Sequence, residues 1–293
     1  MWLVGAGYWG SKLLASLNKF GVDAEVIDIR HGQSIEDINN QDPVILATPL
    51  WQHYAQCCEL LQRGHDVYVE KPMAETAQQI QDIANLVDDQ LLMVGHIFIH
   101  HPQMMIIKDK IANNEIGQLR HIQSQRTNWG IYQTKTDPVL SLGTHDISIV
   151  QELTGGAMTV DNAHSWNLSE YVQSDRIWFA GMANGVSYDI DVTWMSPVRV
   201  RQTVITGTAG QIVWNQDNNT VTTHKNIIKD RRAVKDDNPE VLQYHSSLSP
   251  LEAELKHWVD CVKNRTQPKT SWSQALQVAQ VIDEVKSCLT SST

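Results

Sequence analysis

The chain has 293 residues, enough for one large domain or two of ordinary size. Its 42% hydrophobic and 19% charged content describe a globular protein with a real core, not a disordered chain. Its 23 basic against 33 acidic residues, a formal charge of −10, exclude a general nucleic-acid binder, which needs a basic surface to neutralise phosphates.

The four cysteines, Cys57, Cys58, Cys261 and Cys288, form neither a disulfide framework nor a metal-type spacing, which fits a reducing compartment. Met1-Trp-Leu-Val runs straight into a glycine loop with no signal-peptide pattern, and no apolar run reaches the roughly 20 residues of a membrane helix. These features place the protein in the cytoplasm, with no membrane partner.

Trp2-Leu3-Val4 reads as a short strand, followed by Gly5-Ala-Gly7-Tyr8-Trp9-Gly10, a G-x-G-x-x-G. Such a loop needs a tight turn at the first glycine, backbone approach to a pyrophosphate at the second and close helix–strand packing at the third. Leu13, Leu14, Leu17 and Phe20 give the following helix its apolar face, and Gly21 stops it. The next strand, Ala24–Asp28, ends in an acid at the distance where a carboxylate binds the adenosine ribose hydroxyls. Asp28 favours NAD; Arg30 nearby leaves NADP open, since it can pair with a 2′-phosphate or stack on adenine.

Pro43–Ala47 reads as a buried parallel strand with the polar Thr48-Pro49 at its carboxyl edge, then a helix over Tyr54–Arg63. Asp66–Glu70 is a further strand, running into Lys71-Pro72. Proline pushes the preceding residue into an extended conformation, so Lys71 is held at the edge of the sheet where ligands bind. A helix over Gln78–Val87 with a capping box at Thr76 and Gln79, and a strand at Leu91–Val94, complete the unit. Strands alternating with helices predict a doubly wound parallel sheet.

The motifs GAGYWG (5–10), ATPLWQHY (47–54), GHDVYVEKPMA (64–74), VGHIFIHHP (94–102), EIGQLRHIQSQR (115–126) and LGTHDISIVQELTG (142–155) resemble, in order and spacing, the Gfo/Idh/MocA family of glucose–fructose oxidoreductases and inositol dehydrogenases. The resemblance implies an α/β chain with a Rossmann domain over 1–97 and, over 98–293, an α+β domain with a large, mostly antiparallel sheet, the last helix packing back on the first domain. It implies NAD(P)-dependent oxidation of sugars, inositols or nucleotide sugars, and a homodimer or homotetramer built through the second sheet. Lys71 matches the lysine beside the nicotinamide and the reacting hydroxyl, and Pro72 the proline often preceded by a cis bond. Thr48, Pro49 and His53 match the segment at the nicotinamide end. Tyr8, Trp9, Ile29 and Glu70 complete the expected cofactor contacts, and His145 matches the histidine used as acid and base.

One position departs from the pattern. Many dehydrogenases of the family carry an aspartate four residues before that histidine, where this chain has Ser141. Serine can orient the imidazole weakly but cannot raise its basicity, and Asp146 lies on another helix face. Arg126, Asn128, Gly130 and the His145-Asp146 pair resemble the nucleotide-sugar branch, with Arg126, Asn128, Asp146 and His96 as substrate contacts. His96, His100, His101 and His121 do not make a metal site: Ile97-Phe98-Ile99 reads as strand, which leaves His96 and His100 on one face without a third ligand. Two alternatives stand beside the dehydrogenase reading: a catalytically silent dinucleotide-binding regulator, favoured by Ser141, and a reductase resembling biliverdin reductase.

Beyond Thr159 the pattern changes to short strands and turns, with Ala183-Asn184-Gly185, Gly207–Gly210 and Asp217-Asn-Asn219 as hairpin connections. Trp166, Trp178, Trp194 and Trp214 fall in this sheet, as core or as a subunit interface. Lys225–Asn238 reads as a solvated loop, and Ser249-Pro250-Leu-Glu252 as a capping box opening a helix.

Overall fold

The computed structural model describes residues 1–129, 136–171, 174–243 and 247–291. These divide into two compact units, Met1–His100 with Leu248–Gln280, and His101–Ser247 with Val281–Thr293.

The first unit is built on a five-stranded parallel sheet. Its strands are β1 (Trp2–Val4), β2 (Glu25–Ile27), β3 (Val44–Leu46), β4 (Val67–Glu70) and β5 (Leu92–Gly95), in the order β2-β1-β3-β4-β5. The order reverses between β1 and β3, and this switch point is where a crevice opens at the carboxyl ends of the strands. Helices α1 (Tyr8–Lys19), α2 (Leu50–Gln62), α3 (Ala77–Ala84), α6 (Pro250–Asn264) and the first half of α7 (Trp272–Ser291) cover the sheet.

Strand alternation assigns the two faces. Val44, Leu46, Val67, Val69, Leu92 and Val94 pack with α2, α3 and Ala275 and Ala279 of α7. Leu3, Ile45, Tyr68 and Met93 pack against Leu13 and Leu17 of α1 and Leu255, Trp258 and Cys261 of α6. That second cluster is why α6 counts with the first unit. The capping box that starts α6 forms as read: Ser249 Oγ accepts from Glu252 N and Glu252 Oε2 accepts from Ser249 N.

The second unit holds an eight-stranded sheet. It comprises β6 (Leu119–Trp129), β7 (Met158–Trp166), β8 (Arg176–Ala183), β9 (Val186–Thr193), β10 (Met195–Gly207), β11 (Gln211–Asn215), β12 (Thr220–His224) and β15 (Glu240–Gln243). The order is β15-β12-β11-β10-β6-β9-β8-β7; β6 and β9 run parallel and the other pairs antiparallel. Helices α4 (Pro102–Ala112) and α5 (Thr144–Thr154) belong to this unit. The β8–β9 hairpin turns at Asn184 and Gly185, both at positive φ (48° and 79°), as a two-residue turn of this kind requires. Among the described residues no helix is long and apolar enough to cross a membrane.

Two expectations change. Ile97–His100 is a 3-10 turn, not a strand, because β5 already ends at Gly95. Lys225–Asn238 contains a small hairpin, β13 (Ile227–Lys229) and β14 (Arg232–Val234). Of the four tryptophans, Trp194 and Trp214 are core residues, and the Trp214 indole donates to Gln103 Oε1 at 2.7 Å; Trp166 is 43% exposed.

Candidate active site

The glycine loop leaves β1 at Gly5, whose φ of +93° and a Cβ that would sit 2.7 Å from Ala47 O both demand glycine. A Cβ on Gly10 would lie 1.9 Å from Gly5 O, so helix α1 can approach the strand only with glycine there. Gly7 differs: nothing lies within 4 Å of where its Cβ would be. It is the N-cap of α1, and no side chain caps that end. The free first-turn N–H groups and the open space before them fit a dinucleotide pyrophosphate, held by backbone donors and the helix dipole.

Asp28 follows β2 and is buried. Its Oδ2 accepts from Ala6 N at 3.0 Å, and its Oδ1 from Arg30 N at 2.9 Å and Arg30 Nε at 2.8 Å. Arg30 Nη2 also donates to Asp28 Oδ2 and, at 2.8 Å, to Ala6 O. The guanidinium holds the Asp28 carboxyl well below the usual carboxylate range. The residue expected to bind ribose hydroxyls is therefore ionised and covered by its own neighbour. Ile29, the next residue, and Tyr8 of the glycine loop are exposed; the Tyr8 hydroxyl accepts from Lys12 Nζ at 2.8 Å, with the ammonium 4.3 Å from the ring centroid.

Across the switch point, the Thr48-Pro49 turn follows β3 and the Lys71–Pro72 step, a cis peptide, follows β4. His53 of α2 joins them. Its Nε2 lies 2.8 Å from Thr48 O and its Nδ1 2.8 Å from Pro72 O. The ring is buried between the two carbonyls, and as a neutral imidazole it donates to one of them, so His53 sits between the two turns rather than reaching outward. Burial pushes its pKa down, against the pull of the two carbonyls.

Glu70 also faces inward. It accepts from the Trp9 indole N–H, from the Tyr68 hydroxyl at 3.2 Å and from the Lys71 backbone N–H at 3.3 Å. Trp9 and Glu70, expected at the cofactor, thus secure each other beneath the loop. Lys71 emerges at the carboxyl edge of the sheet. His96 follows β5, whose Gly95 pairs with Glu70. It is 1% exposed, and burial together with the Lys71 charge pushes its pKa down to about 3. Neither ring nitrogen has a protein hydrogen-bond partner among the described residues. A neutral buried imidazole beside Lys71, with both nitrogens unanswered, fits a group that awaits a ligand hydroxyl.

In the second unit, His145 stands in the first turn of α5, directly after a π turn at Val139–Gly143 that contains Ser141. Interruptions of this kind recur at functional sites. Arg126 and Asp146, read as substrate contacts, are both buried and bind each other, Nε to Oδ2 at 2.7 Å and Nη2 to Oδ1 at 2.9 Å. Ser124 Oγ donates to Asp146 Oδ1 at 2.7 Å, and Gln216 Oε1 accepts from Arg126 at 2.9 Å. The pair ties α5, and with it His145, to β6. Asn128 shares the strand face of Arg126, and its Oδ1 has no partner among the described residues. Gly130 lies outside the described residues.

Sequence reasoning missed Tyr68 and Glu254. Tyr68 was legible from strand alternation, two residues before Glu70 on the same face. Glu254, 186 residues away from Tyr68, carried no such signal.

Residues 24–98 match the oxidoreductase family, NAD-binding Rossmann fold, and residues 104–213 match the GFO/IDH/MocA C-terminal domain. The chain belongs to the Gfo/Idh/MocA oxidoreductase family, and its first unit is an NAD-binding Rossmann domain. It is 28% identical over 203 residues to a scyllo-inositol 2-dehydrogenase (NADP(+)) of Bacillus subtilis, covering 57% of this chain and 54% of that protein. It is 24% identical over 182 residues to a 2,7-anhydro-N-acetylneuraminate hydratase of Mediterraneibacter gnavus, covering 53% and 49%. The chain thus spans about half the length of these curated relatives. Among solved structures it resembles UDP-N-acetylglucosamine 3-dehydrogenase from Acidithiobacillus ferrooxidans, at a TM-score of 0.83, 16% identity and coverage of 99% of this chain and 97% of that one. A levoglucosan dehydrogenase in complex with NADH gives a TM-score of 0.82 at 16% identity, covering 100% and 97%.

Proposed function

We propose that the protein is an NAD(P)-dependent dehydrogenase that moves a hydride between nicotinamide and a secondary hydroxyl or carbonyl of a sugar, nucleotide sugar or cyclitol. One observation carries the reading: Lys71, a cation at the carboxyl edge of the dinucleotide-binding sheet, stands on a turn clamped by His53 with the buried His96 close by. Bound nicotinamide would supply the hydride acceptor and donor. The Lys71 ammonium would donate to the reacting oxygen and stabilise alkoxide character as the carbinol C–H breaks. His145 would take the hydroxyl proton in oxidation and return it in reduction, an imidazole being suited to both near neutral pH. His96 would hold a neighbouring substrate hydroxyl.

The cofactor would lie with its pyrophosphate at Gly7 and the first turn of α1 and its adenosine ribose at Asp28. Arg126 and Asp146 bind each other, so the nucleotide-sugar branch draws its support only from similarity to the UDP-N-acetylglucosamine dehydrogenase. A second reading, a catalytically silent dinucleotide-binding regulator, draws on Ser141 where a carboxylate would raise the basicity of His145. The test is NADH formation or consumption with inositols, anhydrosugars, UDP-N-acetylhexosamines and 2,7-anhydro-N-acetylneuraminate. Turnover of at least one supports the enzyme. Tight NADH binding with turnover of none, and no change in the substrates by mass spectrometry, supports the regulator.

A further inference from the structure

Tyr68 and Glu70 leave β4 on the face covered by α1 and α6, and Glu254 of α6 meets them there. Tyr68 Oη lies 3.2 Å from Glu70 Oε1 and 3.1 Å from Glu254 Oε2, and all three side chains are buried. A phenol has one proton to give and lone pairs to accept with, so Tyr68 cannot donate to both carboxylates. With both ionised, one would face the hydroxyl oxygen with no hydrogen between, in a desolvated setting where that is costly.

The two carboxyls are not equivalent. Glu70 has three donors, the Trp9 indole, the Tyr68 hydroxyl and the Lys71 N–H, and lies beside the Lys71 charge. Glu254 has Tyr68 at one oxygen, and its Oε1 has no partner among the described residues. The remaining neighbours bring no charge. Trp258 of α6 lies 6.2 Å from the Tyr68 ring, centroid to centroid, and β5 contributes Gly95. A Cβ at Gly95 would come within 2.6 Å of Tyr68 Oη and 3.1 Å of Glu70 Oε2. His96, the next residue, is held neutral by burial.

We propose that Glu254 is kept as the neutral carboxylic acid and donates its O–H to Tyr68, which donates to an ionised Glu70. The result is a one-way chain of hydrogen bonds that fixes a negative charge beside Lys71. Glu254 and Tyr68 are then positioning residues for the lysine. Burial first, and the Glu70 charge second, push the Glu254 carboxyl well up; burial also raises Glu70, to about 7, against the pull of the Trp9 indole and the Lys71 charge, so of the two Glu254 is the one that keeps its proton. The catalytic meaning of the chain rests on the role proposed for Lys71; the protonation state does not.

The test is infrared absorption of the full chain, labelled with carbon-13 at the glutamate carboxyls, in deuterated buffer at about pH 9, above the Glu70 value of about 7, so that Glu70 is ionised. The wild type should show a carboxylic-acid carbonyl band. Glu254→Gln should remove it, Glu70→Gln should retain it, and Tyr68→Phe should shift it as the bond to the phenol is lost. A wild type without the band overturns the proposal, as does a band that survives in Glu254→Gln. If Glu254→Gln fails to fold, Tyr68→Phe decides, since an unmoved band there also overturns it. No substrate is needed, so a protein that showed the band but oxidised no sugar-like alcohol would sink the proposed function and leave the chain of hydrogen bonds standing.

Discussion

Arg126 and Asp146 form a buried two-point ion pair between β6 and α5, with hydrogen bonds of 2.7 and 2.9 Å. Removing one partner strands the other charge away from water, which costs about 3–5 kcal/mol. Arg126→Met and Asp146→Leu should each lower unfolding stability by that order, and the double variant should recover part of the loss. Chemical denaturation measures all three. Single variants within about 1 kcal/mol of wild type would remove the pair from the account of how His145 is held.

The second and third glycines of the loop separate folding from binding. Gly10→Ala places a Cβ 1.9 Å from Gly5 O and should destabilise the first unit and abolish NADH binding together. Gly7→Ala meets nothing within 4 Å and should fold with a melting temperature near wild type. It should still lose NADH affinity by about tenfold or more, about 1.4 kcal/mol, because the methyl occupies space the pyrophosphate needs. Thermal melts and fluorescence titration distinguish the two. Full NADH affinity in Gly7→Ala would move the phosphates elsewhere.

Arg30 covers the carboxylate that the adenosine ribose would use. Four donors already engage Asp28, so ribose hydroxyls must displace the guanidinium. The arginine side chain is largely exposed, so water screens the pair and releasing it costs little. Arg30→Ala should bind NADH as well as wild type or up to about fivefold more tightly, and NADPH more weakly. Calorimetric titration with both cofactors checks this. Equal losses for the two would show that Arg30 does not discriminate between them.

Three buried histidines, His53, His96 and His101, and the half-buried His100 set the acid side of stability. Burial lowers the pKa of His53, of His96 and His100 to about 3, and of His101 to about 4. Each stays neutral when folded and takes a proton when unfolded below its ordinary value of 6.5. The unfolded state binds more protons there, so stability is complete above pH 6.5 and falls as pH drops towards the folded values. His96 alone should account for about 2 kcal/mol between pH 6.5 and 5. His96→Gln should flatten the dependence by about one proton, as measured by denaturation across that range. An unchanged slope would mean that His96 is protonated in the fold.

Local grammar was legible wherever one short stretch carried the whole signal. The glycine loop, Asp28 at a strand end, the Asn184-Gly185 turn and the Ser249–Glu252 capping box all formed as read. The Ile97–Ile99 run misled because a short apolar stretch suits a strand and a buried turn equally. The β13–β14 hairpin turns at Asp230 and Arg231, both at positive φ and without a glycine to announce it. The partners of site residues were the least legible. Arg126 with Asp146, His53 with Pro72 and Tyr68 with Glu254 are pairings that the tertiary fold creates. Residues that look like ligand contacts from their charge can already be spent on each other.

The most direct test of the central claim compares Lys71→Ala with wild type, using whichever secondary alcohol of the panel the protein oxidises. Hydride transfer is followed by NADH absorbance and NADH binding by fluorescence titration. Turnover should fall by roughly 10²- to 10⁴-fold, with the NADH dissociation constant within about threefold of wild type. Turnover equal to wild type in Lys71→Ala would contradict the claim.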